Sequence, residues 1–528
     1  MSYVLLWIET LLACLLFLAL VIVNGQRRKA RTAKALCAVA ALLPLVPLGA
    51  QLMLTWGLRY VSNLRDSGFG WAITLSVCYF VGAIALWIMA RKRDAAGIRR
   101  AVSWPLARIA TAWLVVISLM AMTLWNLDLR AQVEIQALRA EAGAMALSVA
   151  PPAIPDSANA AILYEKTRER FEAATTAADK DVDYRDETKV NSAQGAAYLQ
   201  RQEKTLQVLR QAADMPECRL DYDYDKPDVG AVLTLSKPFR TWSILLSVAA
   251  TSEAASGKVE LAMADCRRIY ATGNHLNAPP ILISGLTTLA IDALATNTVA
   301  RVLPAVTSKE QLDSFTPPEP PALSRAFARM LRGEEAFGLA MFADLGSGQG
   351  QYARTLRSGA GGALWFAWLR DDVGIYREYM QRQRDIAQQP YYQTADARKK
   401  IEEELRPGKR RGVMSAIVMP SILKSIESLA KTQVLRASVG VACAATRYRL
   451  DHGQYPATSD LLVPGYLEAM PVDPFDGQAM RMKKQADGSL VIYSVGADGK
   501  DDGGVVDSPD SKTRPTDVGI TLKMPAGR

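Results

Sequence analysis

The sequence predicts a mainly α protein in three parts: a four-helix transmembrane anchor, an α-helical extracytoplasmic domain and a small α+β C-terminal domain. Three observations carry that expectation. Long apolar runs crowd the first 127 of the 528 residues, and an Ala-rich, charged chain with helical periodicity follows. Past residue 411 a long amphipathic segment gives way to two short alternating ones around Asp487-Gly488.

The anchor is expected over 1–127. Its four apolar runs, near 3–23, 35–54, 71–90 and 104–127, match the roughly 20 apolar residues that cross a bilayer. A secretory signal peptide would explain the first run alone, but no basic region precedes it and three more runs follow. Glu9, the one acid in the first run, sits near its start, within reach of the interface. Arg27, Arg28, Lys29, Arg31 and Lys34 follow the first run, and Arg91, Lys92, Arg93, Arg99 and Arg100 follow the third, opposed only by Asp94. The positive-inside rule makes those loops cytoplasmic and places the N-terminus and everything after Leu127 outside.

The same two loops hold the chain's whole formal surplus of +9, so the sequence pI near 9.1 reflects topology. The expected partner is therefore the lipid bilayer and not nucleic acid. Of six cysteines, Cys14, Cys37 and Cys78 fall in apolar runs, while Cys218 and Cys266 share the outside and are candidates to pair. With no CxxC and only His275 and His452, a zinc site or a His-based triad is not expected.

A helical stalk and linker is expected over 128–155, ending in the prolines of "PPAIP", with Asp156 or Ser157 capping the next helix. From 156 to 411 successive amphipathic segments, punctuated by Pro216, Gly257, Gly273 and Pro279-Pro280, predict stacked helical hairpins. "FTPPEPPAL" reads as a proline-rich linker. "LGSGQGQ" has glycines but no preceding strand and no Lys-Ser/Thr, and so reads as a helix connector, not a phosphate-binding loop. "GGALWFAWL" is too short to span a membrane; a buried helical turn and a membrane-resting surface both remain open. Asp371 and Asp372, with Glu334 and Glu335, are candidates for acid–base work, weighed against a solvated face of i, i+4 pairs.

The last part, 412–528, opens with a long amphipathic helix of roughly 35 residues, interrupted early at Pro420. A loop with Pro464, Pro471 and Pro474 and a hairpin at Asp487-Gly488 follow. These elements resemble the C-terminal part of the type II secretion major pseudopilin. The matching stretches are "VMPSILKSIESLAKTQV", "YRLDHGQYP", "LVPGYLEAMPVDPF" and "IYSVGADGK", in that order. The chain departs from the family pattern in three respects. The segment follows "RPGKRRGV" some 410 residues into the chain, its apolar stretch is too short to span, and it carries no early glutamate. A pseudopilin-like head on a different anchor is expected, not a processed pilus subunit.

The resemblance implies a Ca²⁺ loop in "YSVGADGKDDGG", with Asp498 as side-chain ligand, carbonyls from Val495 and Lys500, and Asp517 as a closing acid. Asp501, Asp502 and Asp507 of the intervening insertion compete for the closing role. The loop is not an EF-hand, because Lys500 and Pro509 would fall at ligand positions 3 and 12. The alternative is an Asx turn punctuated by glycine. Function is expected to be non-enzymatic: binding of envelope or secretion-system proteins by a membrane-anchored extracytoplasmic head. The alternative is a membrane-bound enzyme or sensor with a ligand pocket in its helical domain.

Overall fold

The computed structural model describes residues 126–127, 129–176, 186–224, 229–276, 280–313, 315–316, 320–347, 369–406, 412, 415–506 and 517–525. All but the last two residues of the four expected spans lie outside these, as do most of "GGALWFAWL" and the end of "LGSGQGQ". The fold is mainly α with one small antiparallel sheet. It divides into two units, one of 1–138 with 341–370 and one of 139–340 with 371–528.

Helix α1 (129–149) starts in the first unit, where Ala131, Ile135 and Leu138 are buried at a spacing of three and four that marks one helix face. Arg370 reaches Glu134 at 3.4 Å there.

The second unit contains most of the rest of the described chain. After the prolines, Asp156–Ala158 forms a single 3₁₀ turn, and Asn159 caps α2 (Ala160–Ala174) by accepting from the Ala161 N–H. The cap is thus one turn later than Asp156 or Ser157, because Asn159 also exchanges two hydrogen bonds with the backbone of Arg219. Short helices α3 (Glu187–Val190), α4 (Ala193–Arg201) and α5 (Glu203–Asp214) follow, with Asp186 and Ser192 capping the first two.

The centre is a triple of long helices, α6 (Val229–Ala255), α7 (Val259–His275) and α8 (Leu282–Val302), each packed on the other two. The stretch Leu282–Ala305 is long and apolar enough to cross a membrane, with hydropathy 1.3, yet 61% of that window is buried inside the fold. Three of its threonines are bonded to the neighbouring helices. Thr288 donates to the Gly273 carbonyl, Thr296 pairs with Tyr270 and Thr298 with Ser247. Such pairing lets a nearly all-round buried helix carry hydroxyls without a desolvation penalty. Asp265, fully buried on α7, is held by Arg210 of α5 and Arg268 of its own helix. Cys218, Cys266 and Cys443 are free thiols, so the expected Cys218–Cys266 pair is not formed; Cys266 is sealed in the core, where burial pushes its thiol well up.

After α9 (Lys309–Asp313), helix α10 (Pro320–Ser347) starts inside what reads in sequence as a linker. Prolines at the first helical positions lack only N–H groups that the helix would leave unpaired anyway. Helices α11 (Arg370–Ala387) and α12 (Ala395–Glu404) lead to α13 (Ser415–His452), which runs unbroken through Pro420. The sheet has strand order β1 (Arg481–Lys484), β2 (Leu490–Ser494), β3 (Val518–Leu522), antiparallel throughout. Its hairpin turns at Gly488, with φ of 83°, a left-handed conformation that only glycine adopts without strain. Every residue of the central strand β2 is buried, because α13 packs on the sheet and both neighbouring strands are paired. Helix α13 also packs along α8, so the C-terminal segment and the helical middle share one core.

Candidate functional site

The end of the sheet where the Asp/Gly-rich loop closes is organised by two residues that sequence reasoning did not single out, Asp473 and Arg481. Asp473 precedes Pro474 in the proline-rich loop, and its side chain is fully buried. One carboxylate oxygen accepts from the Phe475 N–H at 2.9 Å and the Ser494 hydroxyl at 2.7 Å. The other accepts from the Val495 N–H at 3.1 Å and from Arg481 at 3.2 Å. A buried carboxylate is tolerated when it gathers this many donors. The available signal was turn chemistry: an Asp whose side chain accepts from the amide two residues on, within "VDPFDG".

Arg481 begins β1, and its guanidinium fans out to three carboxylates: Asp473, Asp476 at 2.6 Å and Asp501 at 3.2 Å. Strand alternation sets Lys483 on the same face, where its ammonium donates to the Gly503 carbonyl at 3.1 Å. Two cations of one edge strand thus hold the closing loop.

The six expected calcium ligands are placed as follows. Val495 is buried at the end of β2, its N–H taken by Asp473. Asp498 is exposed and accepts from the Lys500 N–H at 3.2 Å, which is the Asx turn. Asp501 accepts from the Gly503 N–H at 2.9 Å and the Tyr493 hydroxyl at 3.1 Å. The Gly503 amide first, opposed by burial and helped by Tyr493 and Arg481, holds its carboxyl below the usual range. Asp502 is exposed and donates its N–H towards Asp517. Asp517 is buried, and its carboxylate accepts from the amides of Gly504 at 2.8 Å, Val505 at 3.2 Å and Asp502 at 3.4 Å.

These donors do not converge. Asp498 is turned to its own loop backbone, Asp501 to a guanidinium and Asp517 to three N–H groups. Among the described residues no group of three or more His, Cys, Asp or Glu is spaced to hold a metal ion. Calcium wants six to eight oxygens around one point, and the described residues, as placed, do not fit it. Asp507 lies outside the described residues.

Of the four acids expected as a possible catalytic set, three are engaged by structural partners. Glu334, buried, accepts from the Leu282 N–H at the start of α8 at 2.9 Å. Glu335 pairs with Arg384, and Asp372 accepts from the N–H and hydroxyl of Ser415 at the start of α13. Asp371 is exposed. His275 Nε2 meets the Met215 carbonyl, which can only accept, so Nε2 carries the proton and Nδ1 accepts from the Tyr164 hydroxyl at 2.8 Å. These are helix caps and core bonds.

A long helix packed on a three-stranded antiparallel sheet, with a proline-rich loop pinned to an Asp/Gly-rich closing loop, defines a pseudopilin-like head. The chain belongs to the family of the type II secretion system core protein G. It is 30% identical over 110 residues to that protein of Pseudomonas aeruginosa, a match covering 17% of this chain and 77% of the relative. The core protein G of Klebsiella michiganensis is 26% identical over 105 residues, with 17% and 74% covered. That of Pectobacterium carotovorum is 25% identical over 105 residues, with 17% and 67% covered. No family model matches the chain, and no solved structure matches it.

Proposed function

We propose that this chain is a multi-pass inner-membrane protein whose extracytoplasmic helical body presents a pseudopilin-like head to proteins of an envelope or secretion assembly, without enzymatic activity. The observation that carries this reading is the likeness to core protein G, a protein named for the type II secretion system, in a chain whose head is built into a larger helical core. A head whose long helix is covered by α8 on one side and by the sheet on another is suited to binding a partner through its loops. It is not suited to being shed as a separate subunit. The non-enzymatic reading is supported by the buried acids and His275, each of which is bonded to a structural partner on its own element or a neighbouring one. The membrane reading rests on the four apolar runs and the basic loops between them, with the bilayer as the anchor's partner.

Site-specific photo-crosslinking from Val472, 60% exposed in the proline-rich loop, tests the function in cells that express the full chain. Adducts with components of a secretion or envelope assembly are expected, and adducts confined to cytoplasmic proteins would overturn the reading. A reporter enzyme that is active only outside the cytoplasm, fused after Leu127, is expected to be active; a silent reporter there overturns the topology.

A further inference from the structure

We propose that Arg481 is the built-in cation of the closing loop, doing with a guanidinium what the family resemblance assigns to calcium, so that the head closes without a metal ion.

The argument starts from what a divalent ion does in such a loop: it draws carboxylates from separate segments to one point. Here that work is already done. Three nitrogens of Arg481 reach three aspartates on two segments, Asp473 and Asp476 of the proline-rich loop and Asp501 of the closing loop. The planar fork of a guanidinium, with five donors, suits this better than an ammonium. The negative charge left over is met by fixed donors. The amides of Phe475 and Val495 and the Ser494 hydroxyl serve Asp473, while the Gly503 amide and the Tyr493 hydroxyl serve Asp501. Asp517, the expected closing acid, spends its carboxylate on the amides of Asp502, Gly504 and Val505 and so shapes the loop directly. A calcium ion seated on Asp501 would meet the like charge of Arg481 beside it, and Lys483 approaches the same loop at Gly503.

The test uses the purified full chain and reads thermal melting with calcium chloride or with a chelator, together with amide hydrogen exchange over residues 498–506. A site filled at a hundred times its Kd would raise Tm of a chain of this length by about 2–3 °C, whereas the wild-type chain is expected to move by less than about 1 °C. Arg481→Gln leaves Asp473, Asp476 and Asp501 without their shared cation. It is expected to melt lower, to exchange faster over 498–506, and to regain part of its Tm in calcium. Arg481→Lys, which keeps the charge and loses the fork, is expected to fall between the two, and it serves if Arg481→Gln does not fold. A calcium-dependent rise in the wild-type chain overturns the proposal, as does an Arg481→Gln chain that melts and exchanges like wild type.

Discussion

Asp292 of α8 and Arg436 of α13, 144 residues apart in sequence, form an ion pair at 2.7 Å with side-chain exposures of 0% and 3%. Burial pushes the Asp292 carboxyl up to about 6, with Arg436 opposing. Asp292 or Arg436 truncated alone leaves an uncompensated charge in the core, at a cost of about 3–5 kcal/mol. Asp292→Leu with Arg436→Met removes both charges and is expected to recover most of that loss. Denaturant midpoints of the two single variants and the double variant check this, and additive losses in the double variant would contradict it.

His275 gives the fold an acid limb. Burial lowers its pKa from 6.5 to about 4, with the Met215 carbonyl opposing. Because the folded value lies below the unfolded one, the neutral ring's contribution is fully present above about pH 6.5 and is lost as pH falls towards 4. The linkage amounts to at most about 3 kcal/mol. Urea midpoints between pH 7 and pH 4 should fall more steeply for wild type than for His275→Gln, which has no proton to take up.

Two helical glycines should respond in opposite directions. A Cβ at Gly338 of α10 would collide with the ring of Tyr376, which is fully buried and donates to the Glu334 carbonyl at 3.0 Å. Gly338→Ala is expected to cost about 1–3 kcal/mol. A Cβ at Gly374 of α11 would meet nothing within 4 Å, so Gly374→Ala should gain up to about 1 kcal/mol from helix propensity alone. Calorimetric melting of both variants decides between steric and propensity control.

Asp473 carries four donors, and its loss leaves buried N–H groups unpaired at about 1–3 kcal/mol each. Asp473→Ala is expected to destabilise the chain by at least about 3 kcal/mol, and Asp473→Asn by less, since the amide oxygen keeps two of the bonds. Equal losses from the two variants would show that the carboxylate is not the organising group.

The readable parts of the fold are those whose signal is local. The periodicity of Ile422, Ile426, Leu429 and Val434 marks α13, and Asp487-Gly488 marks the hairpin. Strand β3 escaped notice because Val518–Leu522 follows a polar stretch and becomes a strand through its pairing with β2. The break expected at Pro420 does not occur, since the rest of the 38-residue helix is held by packing on α8 and the sheet. Asp292 was invisible as a partner for Arg436 because nothing local records a contact made across so many residues. At the site, the sequence drew attention to the Asp/Gly-rich loop, yet the residues that hold it lie in a turn and an edge strand that only the tertiary fold brings beside it.

The sheet's outer strand has one further consequence. β1 is four residues long and carries Arg481, Lys483 and Lys484, with the last donating to Gln454 at 2.8 Å. A short, cationic border of this kind discourages a foreign chain from lengthening the sheet by hydrogen-bonding alongside it. A partner is therefore not expected to be zipped on as a fourth strand along β1, the border opposite β3.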